Sequence, residues 1–257
     1  MKKKDLKFGT KEWAPHNFNF MNGCSNDCVY CYAKEMSIRF KRKTPDTWKE
    51  EEKVSLKGKS FNKKEGNIMF PSSHDITPGN INLALDLMEK LINSGNTLLV
   101  VTKPHFSCIK AIINKFETKT DNIFFRFTIG SSQNTVLHLW EPNAPSFNER
   151  FSSLKLAYDK GFSTSISCEP LLDNKFDILY QIIEPYVTDS IWIGKMNMAS
   201  RRVKINTNST FPIEKIEELT NWQCDKNIIE LYVKYNNNLK IKWKESIKKV
   251  AIENGLL

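Results

Sequence analysis

"TLLVVTKPHFSCIKAIINKF" (97–116) decides the fold. Its first seven residues are apolar nearly throughout, as a strand covered on both faces must be. The remainder sets Phe106, Ile109, Ile113 and Phe116 at helical spacing. A doubly covered strand followed at once by an amphipathic helix is the repeating unit of a parallel sheet, whose crossovers are right-handed. Reading outward, the unit recurs. "NIMFPSS" (67–73) is a strand, after which Thr77-Pro78 opens a helix as N-cap and first-turn proline. That helix lines up Ile81, Leu85, Met88 and Ile92 and stops at Gly95. "IFFRFTIG" (123–130) is the next strand, followed by a loop, "SSQNTVLHLWEPNAP", and a helix capped by the Ser146/Glu149 pair. The inner face of that helix is Phe147, Phe151, Leu154 and Tyr158. "STSISCEPLL" (163–172) and "SIWIG" (190–194) follow, separated by a helix over Phe176, Leu179, Ile182 and Ile183.

With "NFNFM" (17–21) at the start, six strands are expected, at 17–21, 67–73, 97–103, 123–130, 163–170 and 190–194. Six units are too few to close an eight-stranded barrel, so the reading is α/β: a partial barrel or an open sheet. Either architecture gathers functional groups at the C-terminal ends of its strands. Residues 1–199 form this unit, with the charge-dense 41–66 as an exposed excursion. Residues 200–257 are expected as a basic helical extension packed on it.

Composition narrows the setting. The chain has 257 residues, 40% of them hydrophobic, and a net charge of +9. No apolar run approaches the ~18 residues of a membrane span. The start, "MKKKDLKFGTKEW", is charged with no apolar stretch behind it, so no secretory signal is expected. The expectation is a cytoplasmic protein with reduced thiols, in which clustered cysteines bind metal or do redox chemistry. The positive charge suits a polyanion such as nucleic acid, and equally a lysine-rich solubilising surface.

The chemistry is concentrated in "NGCSNDCVYCYA" (22–33), where Cys24, Cys28 and Cys31 stand three and two residues apart. Three readings compete. A structural zinc site would need a fourth ligand from afar, such as His16 or Cys224. Free cysteines also serve as small buried apolar residues. Third, three thiolates can hold three irons of a [4Fe–4S] cluster and leave the fourth iron open. The loop follows the first strand of a βα series and so sits at the functional rim. An open iron can chelate S-adenosylmethionine (SAM) for reductive cleavage, and Tyr30 suits packing against its adenine.

The C-x3-C-x2-C spacing resembles the cluster motif of the radical SAM superfamily, and "GCSNDCVYCYA" looks like its branch containing spore photoproduct lyase and the DNA repair photolyase-like proteins. The likeness continues through "VVTKP", "FRFTIGS", "EPNAPSFNERFSSL" and "CEPLL", over roughly residues 17–195. It implies a partial (β/α)6 TIM-type barrel, a [4Fe–4S] cluster on the three cysteines, SAM, and an electron donor such as flavodoxin or ferredoxin. It also implies an enzyme acting on nucleic acid. The rivals are modification of a protein or small molecule, a nucleic-acid-binding protein with a structural or sensing cluster, and a zinc-stabilised binding domain.

Each strand end then has a candidate. Ser73, His74 and Asp75 in "PSSHD" face the cofactor or cap a helix. Lys103 ends an apolar strand, and the resemblance implies contact with the SAM carboxylate, or catalysis. Thr128, which shares a face with Arg126, meets the ribose. Glu141 and Arg150 are SAM-contacting, or a salt bridge fixing the loop. Cys168 is a hydrogen-atom donor to a substrate radical or a buried structural cysteine, and Glu169 points to the opposite face. Lys195, Arg201, Arg202 and Lys204 are candidate phosphate contacts, and Tyr32, Trp140 and Trp192 stack a base if they reach the rim. One departure stands out. The lyase places a hydrogen-donating cysteine after strand two, where this chain has Ser72 and Ser73, whose O–H bonds are too strong for that step.

Overall fold

The computed structural model describes residues 9–257; the basic run at 1–8, part of the start read above for a signal, lies outside the described residues. Seven strands form one sheet in the order β1 (His16–Asn17), β4 (Asn67–Phe70), β5 (Thr97–Thr102), β6 (Ile123–Thr128), β7 (Ser163–Cys168), β8 (Ile191–Ile193) and β9 (Ile241–Trp243). Every neighbouring pair is parallel. A second, two-stranded ribbon pairs β2 (Met21–Asn22) with β3 (Glu52–Lys53). Crossovers are α2 (Ile81–Asn93), α3 (Phe106–Lys115), α4 (Asn134–Trp140) with α5 (Phe147–Asp159), and α6 (Phe176–Ile183). No helix among the described residues is long and apolar enough to cross a membrane.

The strand alternation divides the core. Val100, Phe125, Phe127 and Ile166 point to the helices and are fully buried with Leu91, Ile109, Ile112 and Leu154. Each such side chain contributes about 1.5–3 kcal/mol over its exposed state. Met69, Leu99, Val101 and Phe124 point to the other face and make a separate small cluster with Trp13 and Ala14. Two apolar faces on one strand produce the nearly continuous run read at 97–102.

Several expectations change. Residues 17–21 are not one strand: pairing stops after Asn17, and Met21 joins the ribbon instead. Helix α2 begins at Ile81, not at Pro78, because the Thr77 backbone N–H donates to Asn80 Oδ1 and its hydroxyl is taken by Glu51 Oε2 at 2.8 Å. The loop after residue 130 contains α4. The tail is not helical alone: α7 (Ala199–Asn206), α8 (Ile213–Trp222) and α9 (Asp225–Tyr235) lead into the seventh strand β9, and α10 (Glu245–Glu253) follows. The Ser146 cap is present, accepting from the Glu149 N–H at 3.3 Å, but the Glu149 carboxylate accepts from the Phe106 N–H rather than closing the box.

The 41–66 segment is mostly exposed, as expected, but it also braces the cysteine loop. Trp48 is buried against Cys24 and Ala33, and its carbonyl accepts from the Cys24 N–H at 2.9 Å. Lys43, also buried, reaches Glu52 at 2.7 Å.

At the sheet edges, the turn Gly9–Glu12 crosses from the β1 side to the β9 side. Lys244, one residue past β9, donates to the Gly9 carbonyl at 3.0 Å and pairs with Glu12 at 2.6 Å. Beside this seam Trp13 meets Trp192 edge to face, with the Arg126 guanidinium 5.0 and 5.2 Å from the two ring centres. Burial pulls the Arg126 pKa down to about 10.

A candidate cofactor cavity built on three cysteines

A cavity of about 560 Å³ opens at the C-terminal ends of the strands. Cys24, Cys28 and Cys31 line it together, on the loop between β2 and α1 (Tyr32–Arg39). None is in a disulfide. Burial raises all three thiols, Cys28 to about 12. Among the described residues no group of three or more His, Cys, Asp or Glu side chains is arranged to hold a single metal ion. Neither His16 nor Cys224 lines the cavity, so the zinc reading lacks its fourth ligand.

The loop is held from four sides. Gly23 has φ +99°, a left-handed conformation that favours glycine, and a Cβ there would sit 2.8 Å from the Trp48 carbonyl oxygen. Glu51 Oε1 accepts from both the N–H and the hydroxyl of Ser25, at 3.0 and 2.8 Å. His74 Nε2 accepts from the Phe20 and Met21 N–H groups at 3.1 and 3.2 Å, while Nδ1 lies 3.1 Å from the Asp75 carbonyl. These partners select the neutral ring with its proton on Nδ1, and burial lowers its pKa to about 4. From the tail, Asn206 Nδ2 donates to the carbonyls of Val29 and Cys31, both at 2.9 Å.

Asp75 links the loop to the β5 end. Its oxygens accept from Asn26 Nδ2 and the Lys103 N–H, both at 2.9 Å, from the Ile76 N–H at 2.8 Å, and from the Thr102 hydroxyl. Every lone pair it would offer a cofactor is therefore committed. Burial raises its pKa.

Glu141 is a second hub. Burial would raise its pKa, but Arg150 at 2.6 Å, Lys103 at 3.8 Å and the Tyr30 hydroxyl bring it below the ordinary value. Glu141 and Arg150 are fully buried and neither lines the cavity. Their salt bridge is the loop-fixing one. The Tyr30 hydroxyl is spent on Glu141, leaving its ring to the cavity; the Lys103 ammonium stands 5.7 Å from that ring's centre. Burial opposes the charge on Lys103, yet Cys28, Tyr30, Glu141 and Asp75 raise its pKa well above the ordinary lysine value. The cavity thus holds a fixed cation facing three thiols, with Ser72, Ser73 and Thr128 beside it.

Other expected residues fall elsewhere. Cys168 is fully buried in the apolar core on the helix side of β7, which argues against hydrogen donation; alternation brings Glu169 to the cavity instead. Trp140 is buried against Phe211, and Trp192 lies in the Trp13 stack. Tyr32 reaches the rim. Lys195 and Arg202 line the cavity and Lys204 is exposed. Arg201 and Arg202 bind the buried Glu35 of α1 at 2.7 and 3.5 Å, so they knit α7 to α1 as well as offering charge. The sequence reading missed Glu51, Asn206 and the wall formed by Trp13, Lys244 and Glu245. A polar residue in a tail helix carries no periodic signal; Glu51, in a run of like charges, carries none either.

No family model matches the sequence, and no curated protein matches it. Solved structures do. A spore photoproduct lyase complexed with dinucleoside spore photoproduct superposes with a TM-score of 0.58 at 14% identity, over 94% of this chain and 79% of that one. The fold is that of the radical SAM enzymes. Streptococcus suis SuiB bound to S-adenosylmethionine shares this radical SAM fold with a TM-score of 0.52 at 11% identity, over 87% of this chain and 48% of SuiB. Another lyase structure is covered over 65% of its length, so the chain spans less than two thirds of some of the proteins it resembles. The partial-barrel expectation holds, extended by β9.

Proposed function

We propose that the chain is a radical SAM enzyme, with a [4Fe–4S] cluster on Cys24, Cys28 and Cys31. The observation that carries this is three unpaired thiols and a half-buried lysine facing one cavity at the strand ends of a radical SAM fold. When bound, the cluster and SAM supply one-electron cleavage of the cofactor to a 5′-deoxyadenosyl radical, the cofactors carrying the chemistry the protein lacks. The chain's part is to place and shield them. Lys103 offers a point charge to the SAM carboxylate, the Tyr30 ring and Ser73 border the adenosine and methionine moieties, and Thr128 meets the ribose. His74, Asp75 and Glu141 act as positioning residues, because their polar atoms are already bonded to the loop and to Lys103. Glu169, Lys244 and Glu245 form the wall left for substrate.

The substrate we favour is a nucleic acid, supported by the net charge of +9 and by Lys195 and Arg202 on the cavity wall. A structural neighbour is complexed with a dinucleoside photoproduct. A peptide is the second reading, because SuiB bound to its precursor peptide covers 93% of this chain at a TM-score of 0.52. Whichever applies, the chain's own residues speak against the lyase's thiol relay: among the described residues the cavity is lined by Ser72 and Ser73 and by no cysteine beyond the three of the loop.

Anaerobic reconstitution with iron and sulfide, followed by SAM and dithionite, tests the reaction; formation of 5′-deoxyadenosine is expected. Its absence with DNA, RNA and peptide pools all present would sink the proposal. Deuterium exchange between labelled SAM and one of those pools identifies the substrate class.

A further inference from the structure

The outer face of α1 is apolar where a barrel helix should be polar. Met36 and the C-cap residue Phe40 are 41% and 57% exposed, and Tyr32 at the start of the helix, whose hydroxyl donates to the Ser72 carbonyl at the cavity rim, is 42% exposed. Met198, at the start of the neighbouring α7, is 61% exposed. Arg201 joins the two helices: one amino group pairs with Glu35 at 2.7 Å while another lies 4.0 Å from the Met198 sulfur. Arg201 thus ties the exposed Met198 to α1.

Its rim is cationic beyond what the fold uses. Arg39, Arg201 and Arg202 converge on the single carboxylate of Glu35, which can neutralise only one of them. Lys41, Arg42 and Lys204 are exposed as well, with the Arg42 guanidinium 5.4 Å from the Phe40 ring centre. An apolar centre of Met and aromatic residues inside an arginine rim has the composition of a protein–protein interface, and the excess positive charge selects an acidic partner. Methionines offer no flat face for bases, which sets the patch apart from a single-strand stacking platform.

Position supplies the remaining element. Cys31 is the N-cap of α1, its sulfur accepting from the Lys34 N–H at 3.4 Å, and is the least buried of the three cavity cysteines. The patch begins at the very next residue. On the reading given above, a loaded cavity needs an electron from outside. We infer that the α1/α7 patch is the docking surface for an acidic one-electron carrier protein. In the transfer the carrier's anionic flavin hydroquinone loses one electron to become the neutral semiquinone, and the cluster gains it, passing from the 2+ to the 1+ state; no bond forms or breaks.

The test uses oxidised and reduced flavodoxin, an acidic FMN carrier, as the probe, with the double variant Phe40→Ser/Arg42→Glu. Binding of oxidised flavodoxin to the wild-type chain should weaken as salt rises. In the variant, binding and the rate of cluster reduction by reduced flavodoxin should each fall by about tenfold or more, while cluster content and reduction by dithionite stay unchanged. Equal loss with both reductants would mean a structural defect and overturn the assignment. So would undiminished flavodoxin binding, or loss confined to the affinity for a single-stranded oligonucleotide. A wild-type chain that forms no reducible cluster would instead defeat the cofactor reading on which the inference rests.

Discussion

The cavity thiols do not act alone, and the residues around them divide into those with free valence and those without. Cys28→Ala should abolish cluster assembly, checked by iron and sulfide content after reconstitution, because two thiolates cannot hold three irons. Lys103→Met should weaken SAM binding, measured by equilibrium dialysis, by about tenfold or more, while leaving the thiols and the cluster in place. His74 behaves differently, since its ring is committed to the Phe20 and Met21 N–H groups. Its pKa is about 4 in the folded chain against 6.5 for the ordinary side chain, so the unfolded state binds the proton more readily. Stability from this group is complete above about pH 6.5 and drains away as pH falls toward 4, by at most about 3 kcal/mol. Denaturant midpoints across that window should fall in the wild type and flatten in His74→Asn.

Among elements, the brace at 41–66 and the tail helix α7 do for the cysteine loop what the sheet does not. Trp48→Ala should cost about 3–5 kcal/mol by cavity formation and slow cluster assembly as well as lowering the denaturant midpoint. Asn206→Leu strands two loop carbonyls; a loss of about 1–3 kcal/mol with poorer cluster retention is expected, measured by urea unfolding and iron release. These elements also mark where sequence reasoning reached its end. Strands β4 to β8 were legible because each is apolar on one face or both over three residues or more. The strand β9 was not: Ile241-Lys242-Trp243 is one alternation long, too short to outweigh the helical pattern on either side. The brace was hidden by its charge, since a run such as "KEEEK" looks solvated until Glu51 is seen between Ser25 and Thr77. Cys24, Cys28 and Cys31 were found by spacing alone. Asp75 and Glu141 were found as residues but not as hubs, because their hydrogen bonds depend on distant partners, such as Lys103, 28 positions from Asp75, and Tyr30, 111 from Glu141.

At the scale of the whole molecule, the sheet is an open arc whose edges are tied by side chains instead of strands. Lys244 is buried among Glu12, Glu169 and Glu245, and burial together with the nearby Glu12 pushes Glu245 up to about 7. Removing one member of such a group strands the others. Lys244→Ala should therefore cost about 3–5 kcal/mol and speed hydrogen exchange across Gly9–Trp13, with exchange in β5 and β6 little changed. That seam joins residues 235 positions apart and also forms one wall of the cavity. Its consequence lies in the order of synthesis. A ribosome delivers Cys24, Cys28 and Cys31 long before Lys244, so a nascent chain carries its cysteines through the whole intervening stretch with one side of their chamber missing. On the cofactor reading proposed above, a cluster would meet a complete receptacle only after the chain has passed β9.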